Sequence, residues 1–220
     1  MGRFVSEKGG GFTPAPPGTH VARCIKITDL GTQHGEFQGR ATVRNQIMIS
    51  WELPNAKMPN GQPFSTSAFY TNSLNEKATL RHHLETWRGR KFTVEELQKF
   101  DLQSILGKTC LLQVIHNDTG CAKVTAVIAL PAGTVVPPQV NPSSTFWIET
   151  ATDAEFEAIS DRLKAIIAAS DEWKAHTAAV KNAATAQSVS PAAASAALDA
   201  AGIEEAGAMP ADVDPEHIPF

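Results

Sequence analysis

The spacing of apolar residues changes twice along this chain, from a period of two to a period near 3.6 and back to two. The run 41–53 alternates most clearly, and one face of this predicted strand holds Val43, Ile47, Ile49, Trp51 and Leu53. A weaker alternation over 20–28 predicts an earlier strand with Val21, Ile25 and Ile27 on one face. A Pro-Asn-Gly turn at 59–61 leads into a third predicted strand over 64–71.

The pattern then becomes helical. Leu80, Leu84 and Trp87 are spaced i, i+4 and i+7, which places them on one face of a helix. Asn75 precedes this run and is predicted to cap the helix. The pair Thr93 and Glu96 has the spacing of a capping box and predicts a short second helix.

After the helical part the β pattern returns over 110–116 and 121–129, with a turn signal at 117–120. The predicted order is therefore three strands, a helical insertion and two strands. This is the order of a five-stranded OB-type barrel, so the chain is predicted to be mainly β with helices. OB barrels commonly bind oligonucleotides on one face and in the adjoining loops.

Sequence composition divides the rest of the chain. We predict a flexible arm over 1–18, an OB-fold domain over 19–150, a helical extension over 151–182, and a disordered linker with an acidic tip over 183–220. The extension begins at a capping-box spacing from Thr152 to Glu155 and indicates one amphipathic helix. This helix would pack against the barrel or against a second subunit of a homo-oligomer. Its apolar face holds Phe156, Ile159, Leu163, Ile166, Ile167 and Trp173.

The balance of charge also differs between residues 1–150 and residues 151–220. The net charge is −4, yet residues 1–150 hold 15 Lys and Arg against 11 Asp and Glu, while 151–220 hold 4 against 12. The three cysteines, Cys24, Cys110 and Cys121, include no CxxC pair, which is typical of reduced thiols in a cytoplasm. The sequence shows no apolar leader and no run of 18 apolar residues, so we expect a cytoplasmic protein that does not enter a membrane.

The sequence does not predict an enzyme. It has no Walker phosphate loop, and neighbouring helix positions such as His82 and His83 do not point at one metal ion. Glu95, Glu96 and Asp101 could suggest the carboxylates of a nuclease, but the helix dipole explains two glutamates in a first turn. We expect no cofactor and no metal, with a nuclease or recombinase subunit as an alternative.

Binding of a nucleic-acid strand needs cations beside phosphates and aromatic faces for bases. Trp51 and Trp87 share faces with apolar neighbours and are predicted to lie in the core. Phe69 and Tyr70 are adjacent in a strand and point to opposite sides; Tyr70 is predicted to face outward because its hydroxyl tolerates water. The candidate DNA-binding residues are Arg23, Lys26, Arg40, Arg44, Phe69, Tyr70, Arg88, Arg90, Lys91 and Lys123.

The stretch 212–220 reads DVDPEHIPF and resembles the acidic tip of bacterial single-stranded DNA-binding proteins, which ends in several aspartates followed by Ile-Pro-Phe. In that family the final phenylalanine ring and its α-carboxylate enter a basic, apolar pocket on a partner, while the acids steer the approach. Pro215 and His217 stand where that family has aspartates. The resemblance implies that bacterial replication, recombination and repair proteins are bound through Asp212, Asp214, Glu216, Ile218, Pro219 and Phe220.

A second resemblance covers about residues 18–175. The segments WRGRKFT at 87–93, FDL at 100–102 and LGKTCLL at 106–112 are similar to proteins encoded in the replication modules of tailed phages and prophages. Those proteins are OB-fold single-strand binders, so the resemblance implies a phage-type single-stranded DNA-binding protein. An interaction adaptor whose OB-like barrel does not itself bind DNA stays open as an alternative.

Overall fold

A computed structural model describes residues 13–188; the predictions for 1–12 and 189–220, including the acidic tip, lie outside this range. The described residues form the strands β1 Gly18–Phe37, β2 Arg40–Lys57, β3 Pro63–Thr71, β4 Thr109–His116, β5 Ala122–Ile128 and β6 Ser144–Phe146. The α-helices are α1 Thr79–Arg88, α2 Val94–Gln98, α3 Asp153–Glu157, α4 Asp161–Ala169 and α5 Asp171–Ser188. Short 3-10 helices span Leu102–Ile105 and Ile148–Thr150. The chain is mainly β with helices, as the sequence predicts.

The sheet places its strands in the order β3-β2-β1-β4-β5 with antiparallel neighbours, and β6 pairs in parallel with β1. The predicted succession of three strands, helical insertion and two strands is confirmed, because α1 and α2 lie between β3 and β4. The sheet is open, since no backbone ladder joins β3 to β5 within residues 13–188. The predicted closure into a barrel is therefore not seen, although β3 and β5 lie close to each other.

Strand β2 follows the prediction over its central part. Four residues that the pattern placed on one face are almost fully buried in the main core, namely Ile47, Ile49, Trp51 and Leu53. Trp51 lies against Trp87, with ring centroids 6.3 Å apart, so both tryptophans are in the core as predicted. Val43 is instead exposed, because the β2–β3 pairing stops at Gln46 and β2 continues beyond it as a two-stranded hairpin with β1.

Strand β1 differs from the prediction in which of its residues share a face. Its register with β2 shifts between Cys24 and Lys26, which marks a bulge at Ile25. The bulge changes the alternation, so that Ala22, Cys24 and Ile27 all face the main core. The prediction that Val21 shares the face of Ile27 is therefore wrong.

The helical extension packs on the other face of β1 and β2. There Leu30 and Met48 join Phe146 and the apolar residues of the extension in a second core, which includes Ile159, Ile167 and Trp173. The predicted capping box between Thr152 and Glu155 is confirmed. The single predicted helix is wrong, because the extended backbone at Ser160 and Ser170 divides it into α3, α4 and α5. The Ser170 hydroxyl accepts a hydrogen bond from the Trp173 N–H at 3.2 Å and satisfies one free donor of α5.

The helical insertion also differs in one detail. Helix α1 begins at Thr79 after Ala78, so Asn75 does not cap it; the Asn75 side chain accepts from the Lys77 N–H and forms a turn instead. The predicted capping box between Thr93 and Glu96 is confirmed. None of the described helices is long and apolar enough to cross a membrane. The first compact unit extends to Ala178, and a second begins at Ala179.

A buried carboxylate fixes the loop that leads into β6. Glu52 is fully buried and accepts hydrogen bonds from the Asn141 N–H at 2.7 Å, the Asn141 side-chain amide at 2.6 Å and the Val140 N–H at 3.1 Å. These donors compensate a charge that would be costly to bury alone. The loop is thereby held against the face of the sheet opposite the main core.

Candidate nucleic-acid interface

A groove of about 910 Å³ runs along the opening between β3 and β5. One wall is formed by residues 65–71 of β3 with Arg44 and Gln46 of β2, and the other by residues 121–124 at the start of β5. The beginning of α1 and one residue of α4, Arg162, complete the lining. The groove thus lies where the sheet lacks a backbone ladder.

The groove is lined by cations. Arg44, Lys77, Lys123 and Arg162 all contribute, and no aspartate or glutamate of residues 13–188 is part of the lining. None of the four has an ion-pair partner within residues 13–188. In a chain whose net charge is −4, such a local excess of positive charge concentrates a field that attracts a polyanion.

Two of these cations were missed by the sequence analysis. Lys77 lies in the turn before α1, and Arg162 lies on α4, far along the chain from the strands. Neither has a local pattern that distinguishes it from a solvated surface cation. Only the packing of α1 and α4 beside the sheet brings them to the groove, whereas Arg44 and Lys123 were predicted from their strands.

The aromatic prediction is reversed. Phe69 is 47% exposed and lines the groove, whereas Tyr70 is 4% exposed and belongs to the main core. The β2–β3 register explains this, because Tyr70 pairs with the buried Ile47 and directly opposed residues share one face of a sheet. The prediction that Tyr70 faces outward is therefore wrong, and Phe69 is the side chain placed for base stacking.

Polar groups fill the rest of the groove. Ser65, Thr71 and Asn117 are exposed along its walls. Helix α1 begins there without a side-chain cap and without an acidic residue in its first turn, so its free N–H groups add partial positive charge. Hydroxyls and backbone N–H groups of this kind commonly contact phosphate and sugar oxygens.

Arg88, Arg90 and Lys91, three of the predicted DNA-binding residues, lie outside this groove. The Arg88 guanidinium lies 4.5 Å from the centre of the Phe92 ring and forms an ion pair with Glu96. Arg90 pairs with the same carboxylate at 2.7 Å, while Lys91 is exposed. Arg88 and Arg90 are therefore engaged in holding α1 to α2.

Three further predicted cations also lie elsewhere. Arg23 donates to the backbone carbonyl of Pro137 at 3.1 Å, and Lys26 is half-buried beside β6. Arg40 is exposed at the end of the β1–β2 hairpin. Of the ten predicted residues, the structure brings together Arg44, Phe69, Tyr70 and Lys123 in the groove.

Two of the three carboxylates that suggested a nuclease have other partners. Glu96 belongs to the capping box and to the ion pairs with Arg88 and Arg90. Asp101 accepts from the Gln103 N–H at 2.8 Å and caps a 3-10 helix. Across residues 13–188, no three His, Cys, Asp or Glu side chains are grouped to hold a metal ion.

A buried histidine lies at the floor of the groove. The Nδ1 atom of His83 lies 2.9 Å from the Tyr70 hydroxyl. Burial lowers the pKa of the His83 imidazole below its ordinary value of 6.5; a hydrogen bond to the backbone of Thr125 opposes this, and the neighbouring His82 adds to it. The shift therefore favours the neutral imidazole over the charged form.

We expect His83 to make the free energy of unfolding smaller as the pH falls. The folded state binds fewer protons at His83 than the unfolded state, so its contribution is present above pH 6.5 and is lost as pH falls through the folded-state pKa. Urea unfolding at several pH values between 5 and 8 would measure this for the wild type and His83→Gln. The wild type should lose more stability than the variant over this range. Parallel curves would contradict the assignment.

No protein-family model matches this chain, and no curated protein matches it significantly.

Proposed function

We propose that this chain is a non-catalytic, phage-type single-stranded DNA-binding protein that acts in DNA replication or recombination in a bacterial cytoplasm. The observation that carries the proposal is the groove, which within residues 13–188 has four cations without an ion-pair partner, no carboxylate and one exposed aromatic ring. Cations that follow a phosphate backbone, together with a ring on which a base can stack, are what binding of a single strand requires.

The exposed ring favours a single strand over a duplex. A base in a duplex has both faces covered by its neighbours, so it cannot stack on Phe69 without leaving the helix. An unpaired base has a free face, and every base can use it, so such binding tolerates any sequence. Duplex DNA would be left with the phosphate contacts alone.

The strand order supports an OB-type assignment. An OB barrel has five strands with a helix between the third and the fourth, and this chain has α1 and α2 there. β1 pairs with both β2 and β4, and β3 lies beside β5. We regard the open sheet as an OB-type barrel in which the groove takes the place of a backbone ladder between β3 and β5.

Recruitment of host proteins is the second part of the proposal. It rests on the resemblance of residues 212–220 to the acidic tip of bacterial single-stranded DNA-binding proteins, and these residues lie outside the described range. An acidic segment ending in Ile218-Pro219-Phe220 suits a basic, apolar pocket on a replication or repair enzyme.

Fluorescence anisotropy with labelled oligo-dT tests the first part. The protein should bind without magnesium or ATP, and more weakly as salt rises, because each neutralised phosphate releases counterion. The double variant Arg44→Ala, Lys123→Ala should lower the slope of log Kd against log salt by about 1.4, at roughly 0.7 per phosphate contact on a single strand.

The matched control is Lys57→Ala with Lys99→Ala. Both lysines are exposed and lie outside the groove lining, so the control removes the same total charge. It should keep the wild-type slope. Equal slopes for the two double variants would show that total charge rather than the groove governs binding. Duplex affinity equal to that for oligo-dT would overturn the proposal.

A further inference from the structure

The two walls of the groove are joined by a side chain rather than by a backbone ladder. The Tyr70 hydroxyl of β3 is hydrogen-bonded to Nδ1 of His83 in α1 at 2.9 Å, with the ring planes nearly perpendicular and their centroids 5.6 Å apart. Helix α1, which carries this imidazole, is in turn hydrogen-bonded to β5. The contact between Tyr70 and His83 therefore links β3 to the helix that is held on β5.

The remaining contacts of α1 show why this bond matters. The Thr86 hydroxyl donates to the Val127 carbonyl at 2.6 Å, and the Ala129 N–H donates to the Thr86 carbonyl at 3.0 Å, so α1 is fixed to β5. In the described part of the chain, the hydrogen bond between α1 and β3 is the one from Tyr70 to His83. If it is lost, α1 and β5 remain together, and β3 keeps its ladder with β2 but loses its hydrogen bond to α1.

We propose that His83 is a positioning residue for strand binding, which sets the distance between Phe69 on one wall and Lys123 on the other. This inference rests on the proposed function. Phe69 is adjacent to Tyr70, and Lys123 lies two residues before Thr125 in β5. On this proposal, a base stacked on Phe69 has its phosphate within reach of Lys123 while the Tyr70–His83 bond sets the spacing of the two walls.

Tyr70→Phe tests this most directly, because it keeps the ring in the core and removes only the hydroxyl. The full-length variant should bind oligo-dT several-fold more weakly than wild type, and its salt slope should fall by about 0.7, the value for one lost phosphate contact. His83→Gln should show the same weaker binding and the same lower salt slope. Ser170→Ala is the control, because it removes buried hydroxyl hydrogen bonds in the second core, away from the groove. It should lower the melting temperature and leave the salt slope unchanged.

A double-mutant cycle separates positioning from a general loss of stability. Lys123→Ala should weaken binding in the wild type and have little further effect in Tyr70→Phe, because Lys123 is then already out of reach. Additive losses in the cycle would overturn the inference. So would wild-type affinity and slope in a folded Tyr70→Phe variant, while the proposed function would stand. Failure of the wild type to bind oligo-dT would overturn both.

Discussion

Replacement of Phe69 with alanine is expected to weaken oligo-dT binding roughly 5- to 150-fold with little change in melting temperature. A base stacked on an aromatic side chain contributes about 1–3 kcal/mol, and this range converts to that change in Kd. Among residues 13–188, Phe69 is the exposed aromatic ring of the groove, so no neighbouring ring from this part of the chain can replace it. Because its side chain is 47% exposed, its loss leaves no cavity in the core.

Ile128→Ala is the matched control for this change. Ile128 is 44% exposed on β5 and lies outside the groove lining, so the variant removes a comparable amount of exposed apolar surface. It should bind as the wild type does, and Phe69→Trp should retain most of the affinity because a ring remains. Anisotropy titrations at one salt concentration would measure all three. Equal binding by Phe69→Ala and wild type would remove base stacking from the proposal.

The strands and their order were predictable because burial of one face leaves a period of two in the sequence. In the run 41–53, four apolar residues at alternate positions mark the face that packs in the core, namely Ile47, Ile49, Trp51 and Leu53. The aromatic pair in β3 carries no such repetition, since its neighbours are serine, threonine and alanine. Which aromatic faces the core depends on the register with β2, and register is a property of two strands together.

The bulge at Ile25 could not be predicted from the sequence of β1 alone for a similar reason. A bulge adds one residue to one strand of a pair, so the alternation in β1 changes phase where its partner does not. The groove cations Lys77 and Arg162 came together through packing between distant segments. Arg44 and Lys123 could be predicted from their strands, whereas Lys77 and Arg162 could be placed only from the tertiary structure.

Gly31→Ala is expected to lower stability by about 2–4 kcal/mol, because Gly31 has a φ of 68° and touches the helical extension. An alanine in this left-handed conformation costs about 1–2 kcal/mol by itself. Its Cβ would also lie 2.7 Å from the Ser170 Cβ and 2.7 Å from a Glu172 carboxylate oxygen. Glu172 would have to move, and it accepts from the Thr32 N–H at 2.5 Å and from the Thr32 hydroxyl at 2.6 Å. Hydrogen bonds to charged groups contribute roughly 1.5–3 kcal/mol, so their weakening adds to the backbone strain.

Gly35→Ala is the control in the same strand. Gly35 does not have a positive φ, and a Cβ there would meet only the Thr42 hydroxyl at 3.5 Å, an ordinary contact. This variant should stay within about 0.5 kcal/mol of wild type, as exposed substitutions usually do. At about 2–4 °C per kcal/mol for a chain of this size, Gly31→Ala should melt roughly 4–16 °C lower. If both variants melted together, the close contact between β1 and the start of α5 would not exist in solution, and the extension would not be anchored at Gly31.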